Sequence, residues 1–456
     1  MFIYLLMGLS VVYLLLGLFV SKGIETNEDY FLAGRKVGLW PLTFTLIATQ
    51  IGGGMLLGSA QESYYFGYYG IFYTLGMSLG FLLLGCGFAS KLRLFNVSTV
   101  AELFETKYKS VLLKKVASAV SAVSLCGLLA GQVVALKSLL WGLGIDNNLV
   151  FFAFWAFIII YTMMGGLKAV IATDLAQVLF LLLVFTCIFL YSLSCEPASF
   201  FNFKNMFMAQ RSFETGRSTF VKLFPVLISP MFFSLIEQDL GQRFFAAKTK
   251  KIAALAAIFS SIALLLFSFV PVYFGMKARL TGVDIAFGAS PLIPVIGNMT
   301  NNFVLALVVC GLSAAITSTA DSLLCAISSN IAQDFDFAFI KKRSKLSISK
   351  AVTFLIGLLA LLVGYFAENI IEMLVQSYEL LISCLFVPVF FCFFKKSFNK
   401  QSAAYSMAFG ALGFIFFKFY PMEQLNFPND IIVLSFSLLG YLIGPFLWAG
   451  RQIKEK

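Results

Sequence analysis

About thirteen apolar runs, each long enough to cross a bilayer, constrain this chain more than any other feature of its sequence. They fall at about 2–21, 39–60, 69–90, 116–142, 148–165, 169–193, 220–240, 252–275, 302–331, 350–367, 371–394, 403–418 and 430–450. A hydrocarbon core about 30 Å thick takes roughly 20 apolar residues of helix to span. In lipid every backbone N–H and C=O must be satisfied internally, and helices of this length do so. The expected fold is therefore all-α and polytopic, with a single transmembrane domain over residues 1–456. Composition agrees, with 60% hydrophobic and 12% charged residues, a balance foreign to soluble domains of this length. The first run has no basic segment before it and no small-residue cleavage site after it. It is expected to stay as a helix rather than be removed as a leader.

The net charge of +11, from 33 Lys and Arg against 22 Asp and Glu, is distributed as an orientation signal. Basic residues cluster between alternate runs: Lys91, Arg93, Lys107, Lys109, Lys114 and Lys115, then Arg243, Lys248, Lys250 and Lys251, then Lys341, Lys342, Arg343 and Lys345. The positive-inside rule places these in the cytoplasm, so the N-terminus is expected outside and the C-terminus inside, with residues near 204–211 outside. The lipid bilayer is the expected partner of this surface; nucleic acid is not. The stretch between residues 92 and 115 is amphipathic and is expected to lie along the inner membrane surface.

Histidine is absent and the eight cysteines form no C-x-x-C pair. Histidine-assisted nucleophilic catalysis and histidine metal sites are thereby excluded, and the cysteines read as small buried hydrophobes. With no Walker A motif, ATP-driven transport has no support either. The chain is not expected to be an enzyme.

Two runs are interrupted in corresponding places. The second contains ATQIGGGMLLG (48–58), in which Gly52, Gly53 and Gly54 invite local unwinding and exposure of the Ala48 and Ile51 carbonyls. The seventh, five runs later, contains LFPVLISPMFF with Pro225 and Pro230. Paired interruptions of this kind are the sequence pointer to an inverted-repeat transporter whose site lies at mid-membrane between the breaks. In the first break, Gln50 and the N–H groups of Gly52, Gly53 and Gly54 are candidate substrate contacts, as is Gln132 in the fourth run.

GLSAAITSTADS (311–322) supplies the complement. On a helix Ala315, Ser318, Thr319 and Ser322 share one face. A carbonyl and two hydroxyls are neutral oxygen ligands, suited to a monovalent cation that must bind and then leave. Ala48, Ile51, Ala315, Ser318 and Thr319 therefore read as one sodium site. Hydroxyls in membrane helices also bond their own i−4 carbonyl or hold helices together, and that reading stays open. Asp321 is harder to assign to packing, because an aspartate at a helix centre costs roughly 2.5–3.5 kcal/mol on insertion.

YFLAGRKVGLW (30–40), ATQIGGG (48–54), GGLKAVIATDLAQ (165–177), GQRFFAAKTKK (241–251) and AAITSTADSLLCAISSNIAQD (314–334), taken in order, resemble the sodium/solute symporter family of proline, pantothenate, sialic acid and sugar symporters. The resemblance implies a LeuT-type fold of five plus five helices in inverted repeat. The core would occupy about 39–193 and 220–394, with accessory helices at 2–21, 403–418 and 430–450. It implies the same five sodium ligands. It also gives Asp174 a place near the inner sodium exit, or with Ser318, Asp321 and Ser322 in a second sodium site, with Lys168 as the competing partner of Asp174. Gln376 and Phe233 align with a sugar-contacting glutamine and an inner aromatic gate of the sugar branch. Pro230 and Met55 stand where that branch has polar contacts, so an amino acid, organic acid or related metabolite is expected rather than a sugar. The function implied is sodium-coupled symport by alternating access, with sodium as coupling ion, no organic cofactor and a monomer as the working unit. The alternatives are proton coupling through Asp174 and Asp321, or a membrane sensor on the same fold.

Overall fold

The computed structural model describes residues 2–21, 26–145, 147–195, 217–285, 289–335, 345–367, 369–395, 398–420 and 429–454. Nine helical stretches among them are long and apolar enough to cross a membrane, and two shorter apolar helices, Asn148–Ile160 and Ile431–Phe446, accompany them. The expected outer segment near 204–211 and the basic residues 341–344 lie outside the described residues.

Polar residues at the ends of the apolar runs start the helices. Ser110 caps Val111–Gly142 by accepting from the Leu113 amide at 3.3 Å, and Asn301 caps Asn302–Asp334 by accepting from Val304 at 2.9 Å. Thr249 and Asn369 do the same for Lys250–Leu280 and Ile370–Leu381. Each satisfies an amide that lipid could not.

The helix Asn302–Asp334 is the centre of the molecule, almost wholly buried beyond its first turn. It packs against Val111–Gly142, Asn148–Cys195 and Lys345–Tyr365, and touches Leu39–Gln50. Lys250–Leu280 backs the first broken segment, and Arg217–Phe233 lies on Phe72–Leu83 and Ile370–Leu381. Phe2–Ser21 leans mainly on the outside of Asn148–Cys195, and Lys400–Phe419 pairs with Asn429–Lys454 at the far edge. One helix at the beginning and two at the end are thus accessory.

The runs expected at 148–165 and 169–193 form one stretch, Asn148–Cys195, kinked at Gly166 (φ 54°, ψ −165°). A Cβ there would lie 2.6 Å from the Tyr30 carbonyl oxygen, so both the conformation and the close approach require glycine.

The first break falls where the sequence places it. Helix Leu39–Gln50 ends at Ile51 (φ −81°, ψ 71°), and the chain resumes in a π-helical turn, Gly54–Gly58, before Ser59–Phe66. The second break does not. Pro225 and Pro230 lie inside the helix Arg217–Phe233. The chain opens one turn later, over residues 234–237, and re-enters a helix at Gln238–Ala246. Proline removes an amide donor, but neighbouring groups can re-satisfy the ladder. Here the ladder runs on past the second proline, the Pro230 carbonyl accepting from the Ser234 amide at 3.1 Å and from the Ser234 hydroxyl at 2.7 Å. The helix yields instead where polar Glu237, Gln238 and Asp239 follow.

The 92–115 stretch is anchored to the bundle from one side. Leu103 and Phe104 are fully buried. Thr99 donates to Asp334 at 2.9 Å, and the Val100 amide donates to Gln238 at 2.7 Å. Asn96, Thr106 and Lys109 stay exposed, so the stretch is amphipathic as expected, with its apolar face and these two bonds wedged into the bundle.

Candidate functional site

The stripe on Asn302–Asp334 faces the first break. Ser318 Oγ lies 3.1 Å from the Ala48 carbonyl oxygen and 3.0 Å from that of Ala315. Thr319 Oγ1 donates to the Thr49 carbonyl at 3.1 Å. Ile51 is buried at the end of its helix, where its ψ turns the carbonyl off the helical direction. All five sequence-derived candidates, Ala48, Ile51, Ala315, Ser318 and Thr319, are buried. Two helices far apart in sequence meet here through hydroxyls and carbonyls alone.

The glycines at the break act by closeness. None of Gly52, Gly53 and Gly54 has a positive φ. A Cβ on Gly52 would lie 2.5 Å from Thr319 Oγ1, and one on Gly53 would lie 2.2 Å from Ala135 Cβ. Nor are the first two amides free for a solute carboxylate: Gly53 donates to Gln132 Oε1 at 3.0 Å and Gly52 to the Gln50 carbonyl at 2.9 Å.

Beside this contact lies a pocket of at most about 340 Å³, the low end for small-molecule sites. Gln50, Gly52, Gly54 and Gln132 line it, with Glu237 from the second break and Tyr73, Leu374 and Tyr378. Phe233 sits behind Tyr378, ring centroids 4.3 Å apart. Gln376 does not line the pocket; its amide donates to Glu372 at 2.9 Å. Leu374 and Tyr378 are i and i+4 on one helical face, and Gln376 between them points away from it.

Below the pocket, the charges form one network around Arg243, which is fully buried. Its guanidinium reaches Asp174 Oδ2 at 3.3 Å, Thr45 Oγ1 at 3.0 Å and Ser322 Oγ at 2.5 Å, and pairs with Asp239. Thr45 in turn donates to Asp174 at 2.5 Å, and Thr49 donates to Asp239. Arg243 is therefore not one of the cytoplasmic surface charges, and the partner of Asp174 is Arg243 rather than Lys168. The candidate second sodium set is in part engaged by protein groups. The guanidinium already bonds Asp174 and Ser322, while Asp321 accepts from Thr162 at 2.6 Å on a neighbouring helix. A guanidinium offers five donors in a fixed fork, and two carboxylates and two hydroxyls engage them.

The sodium:solute symporter family model matches residues 30–410, most of the chain. The chain belongs to the sodium:solute symporter family. It is 25% identical over 75% of its length to a high-affinity choline transporter of Drosophila melanogaster, of which it covers 57%. It thus spans little more than half of that relative. It is 23% identical over 88% of its length to a sodium/proline symporter of Haemophilus influenzae, covering 84% of it. A solved sodium-coupled sialic acid symporter superposes with a TM-score of 0.77 at 17% identity, over 98% of this chain and 97% of that one. The LeuT-type architecture of a multi-pass membrane protein follows from that superposition and from the helices above.

In this symporter-family chain, sequence reasoning missed Glu237, Asp239, Tyr73 and Tyr378. A signal was present in IEQDLGQRFF (236–245), where two carboxylates interrupt an otherwise membrane-length stretch, Leu223–Ala246. Arg243 four residues after Asp239 is the helical spacing of an ion pair.

Proposed function

We propose that this protein imports a small organic solute by coupling it to inward sodium movement, through alternating access. The supporting observation is the meeting of Ser318 with the Ala48 and Ala315 carbonyls across the first break. Sodium is the cargo ion. The carbonyls of Ala48, Ile51 and Ala315 and the hydroxyls of Ser318 and Thr319 are its ligands, each hydroxyl rotating its proton away to present a lone pair. Held this way, the ion ties the first broken helix to Asn302–Asp334. Solute binds next to it at Gln50, Gln132 and Glu237, and the two repeats, about 39–193 and 220–394, rock to open the other side.

One sodium per solute is the stoichiometry proposed, because Arg243 already supplies the positive charge between Asp174, Asp239 and Ser322. A 100 mV potential contributes roughly 2.3 kcal/mol per charge and a tenfold sodium gradient about 1.4 kcal/mol. Together, about 3.7 kcal/mol supports several-hundred-fold accumulation. The N-terminus is outside and the C-terminus cytoplasmic, as Lys91, Arg93, Lys107, Lys109, Lys114, Lys115 and the lysines at 248, 250 and 251 favour. Its relatives include choline and proline transporters, which makes small metabolites the first solutes to try. The test is uptake into proteoliposomes from a panel of radiolabelled metabolites, with sodium or potassium outside. Sodium-dependent accumulation of a member above equilibrium supports the proposal. Equal accumulation with potassium would defeat it.

A further inference from the structure

We propose that the mid-membrane pocket selects solutes carrying an organic ammonium group, with Glu237 as its counter-charge and Tyr73 and Tyr378 as its aromatic wall. This rests on the transport reading above and narrows its substrate class.

Glu237 is buried, and its carboxylate lines the pocket. It stands at the N-cap position of Gln238–Ala246, yet its side chain does not cap that helix. The Gln50 amide approaches it at 3.4 Å, at the long limit of a hydrogen bond. No Lys or Arg lines the pocket. The neighbouring cation, Arg243, is already paired with Asp174 and Asp239. Among the described residues no ion pair reaches Glu237. A buried carboxylate without a cation is costly, so the site is completed by positive charge that arrives from outside.

Two tyrosines lining the same pocket fit that charge. Tyr73 and Tyr378 are joined through their hydroxyls at 2.8 Å, with rings 16° from parallel. Aromatic faces attract ammonium ions, the more so when water is excluded. A solute bearing only a carboxylate would meet Glu237 with no basic partner. Simple organic acids, part of the range expected from sequence, are thereby disfavoured, and amines, quaternary ammonium compounds and zwitterions are retained.

Probe binding to the purified protein in sodium, read as a shift in thermal unfolding, tests the inference. The probes are a panel of small amines and quaternary ammonium compounds including choline, the uncharged tert-butyl analogue of choline, and the anions lactate and pantothenate. The expected result is stabilisation by ammonium members, at least about 30-fold tighter than by the neutral analogue. Glu237→Gln should erase most of that preference, while Glu237→Asp, which keeps the charge, retains it in weakened form. Stabilisation of the Glu237→Gln protein by sodium alone shows that it is folded. Binding of an anion in preference to every ammonium compound would overturn the proposal. So would an unchanged preference in Glu237→Gln, or a loss of sodium stabilisation there with Glu237→Asp intact, which would make Glu237 a sodium ligand. Failure of the underlying transport reading looks different: sodium then fails to stabilise the wild-type protein at all.

Discussion

A buried arginine between two aspartates is held in place by what its removal would leave behind. Without Arg243, both Asp174 and Asp239 lose their cation in a membrane interior. Breaking such a pair costs about 3–5 kcal/mol. Arg243→Ala is accordingly expected to lower the thermal unfolding midpoint in detergent steeply. Arg243→Lys should recover only part of the loss, since a lysine cannot span Asp174, Thr45 and Ser322 with a fork. A wild-type midpoint in Arg243→Ala would contradict this reading. The same residue marks the limit of what could be read from sequence. Ser318, Thr319 and Ala315 were legible because i, i+3 and i+4 is a property of one helix. Arg243 was not, because Asp174 lies 69 residues away and a charge count cannot separate a buried guanidinium from a surface one.

The interruptions of the helices shape the site more than their lengths do. The kink at Gly166 lets the Asn148–Cys195 stretch turn against the Tyr30 backbone. Gly166→Ala adds a Cβ at positive φ and against a carbonyl oxygen, a strain on the order of 1–3 kcal/mol. A lower unfolding midpoint with the sodium affinity of the surviving folded fraction unchanged is the expected outcome. A neutral effect would mean the kink can be rebuilt without glycine. The two breaks themselves divide instructively. The first was found because three glycines permit a backbone approach no other residue allows, with Ala135 and Thr319 waiting at 2.2 and 2.5 Å. The second was misplaced by one turn because proline is a local rule, whereas the opening at 234–237 lies next to Asp239, whose partner Thr49 comes from a distant helix.

At the scale of the whole molecule, the end assigned to the cytoplasm is fastened by residues from several segments. Arg35 donates to the Val97 carbonyl at 3.2 Å and the Phe245 carbonyl at 3.4 Å, and pairs with Glu28 at 2.9 Å. Val37 and Ala247 form a bridge, in which the Val37 amide donates to the Ala246 carbonyl at 3.1 Å and the Lys248 amide to the Val37 carbonyl at 2.9 Å, and Arg93 donates to the Ala247 carbonyl. On the proposed alternating-access cycle, this clasp opens when the ion leaves inward. In a protein keeping Cys325 as its sole thiol, buried next to Gln242, Arg35→Ala is expected to raise the rate of labelling from the cytoplasmic side severalfold. An unchanged rate would place the gate elsewhere.

In the proposed cycle, Ser318 and the carbonyls of Ala48 and Ala315 hold the coupling ion. Sodium titration of solute uptake, or of thermal stabilisation, in wild type and Ser318→Ala addresses this directly. Losing one ligand worth about 1.4 kcal/mol predicts a tenfold rise in the half-saturating sodium concentration, with membrane insertion intact and a smaller shift of the same sign for Thr319→Ala. The same half-saturating sodium in wild type and both variants would contradict the site.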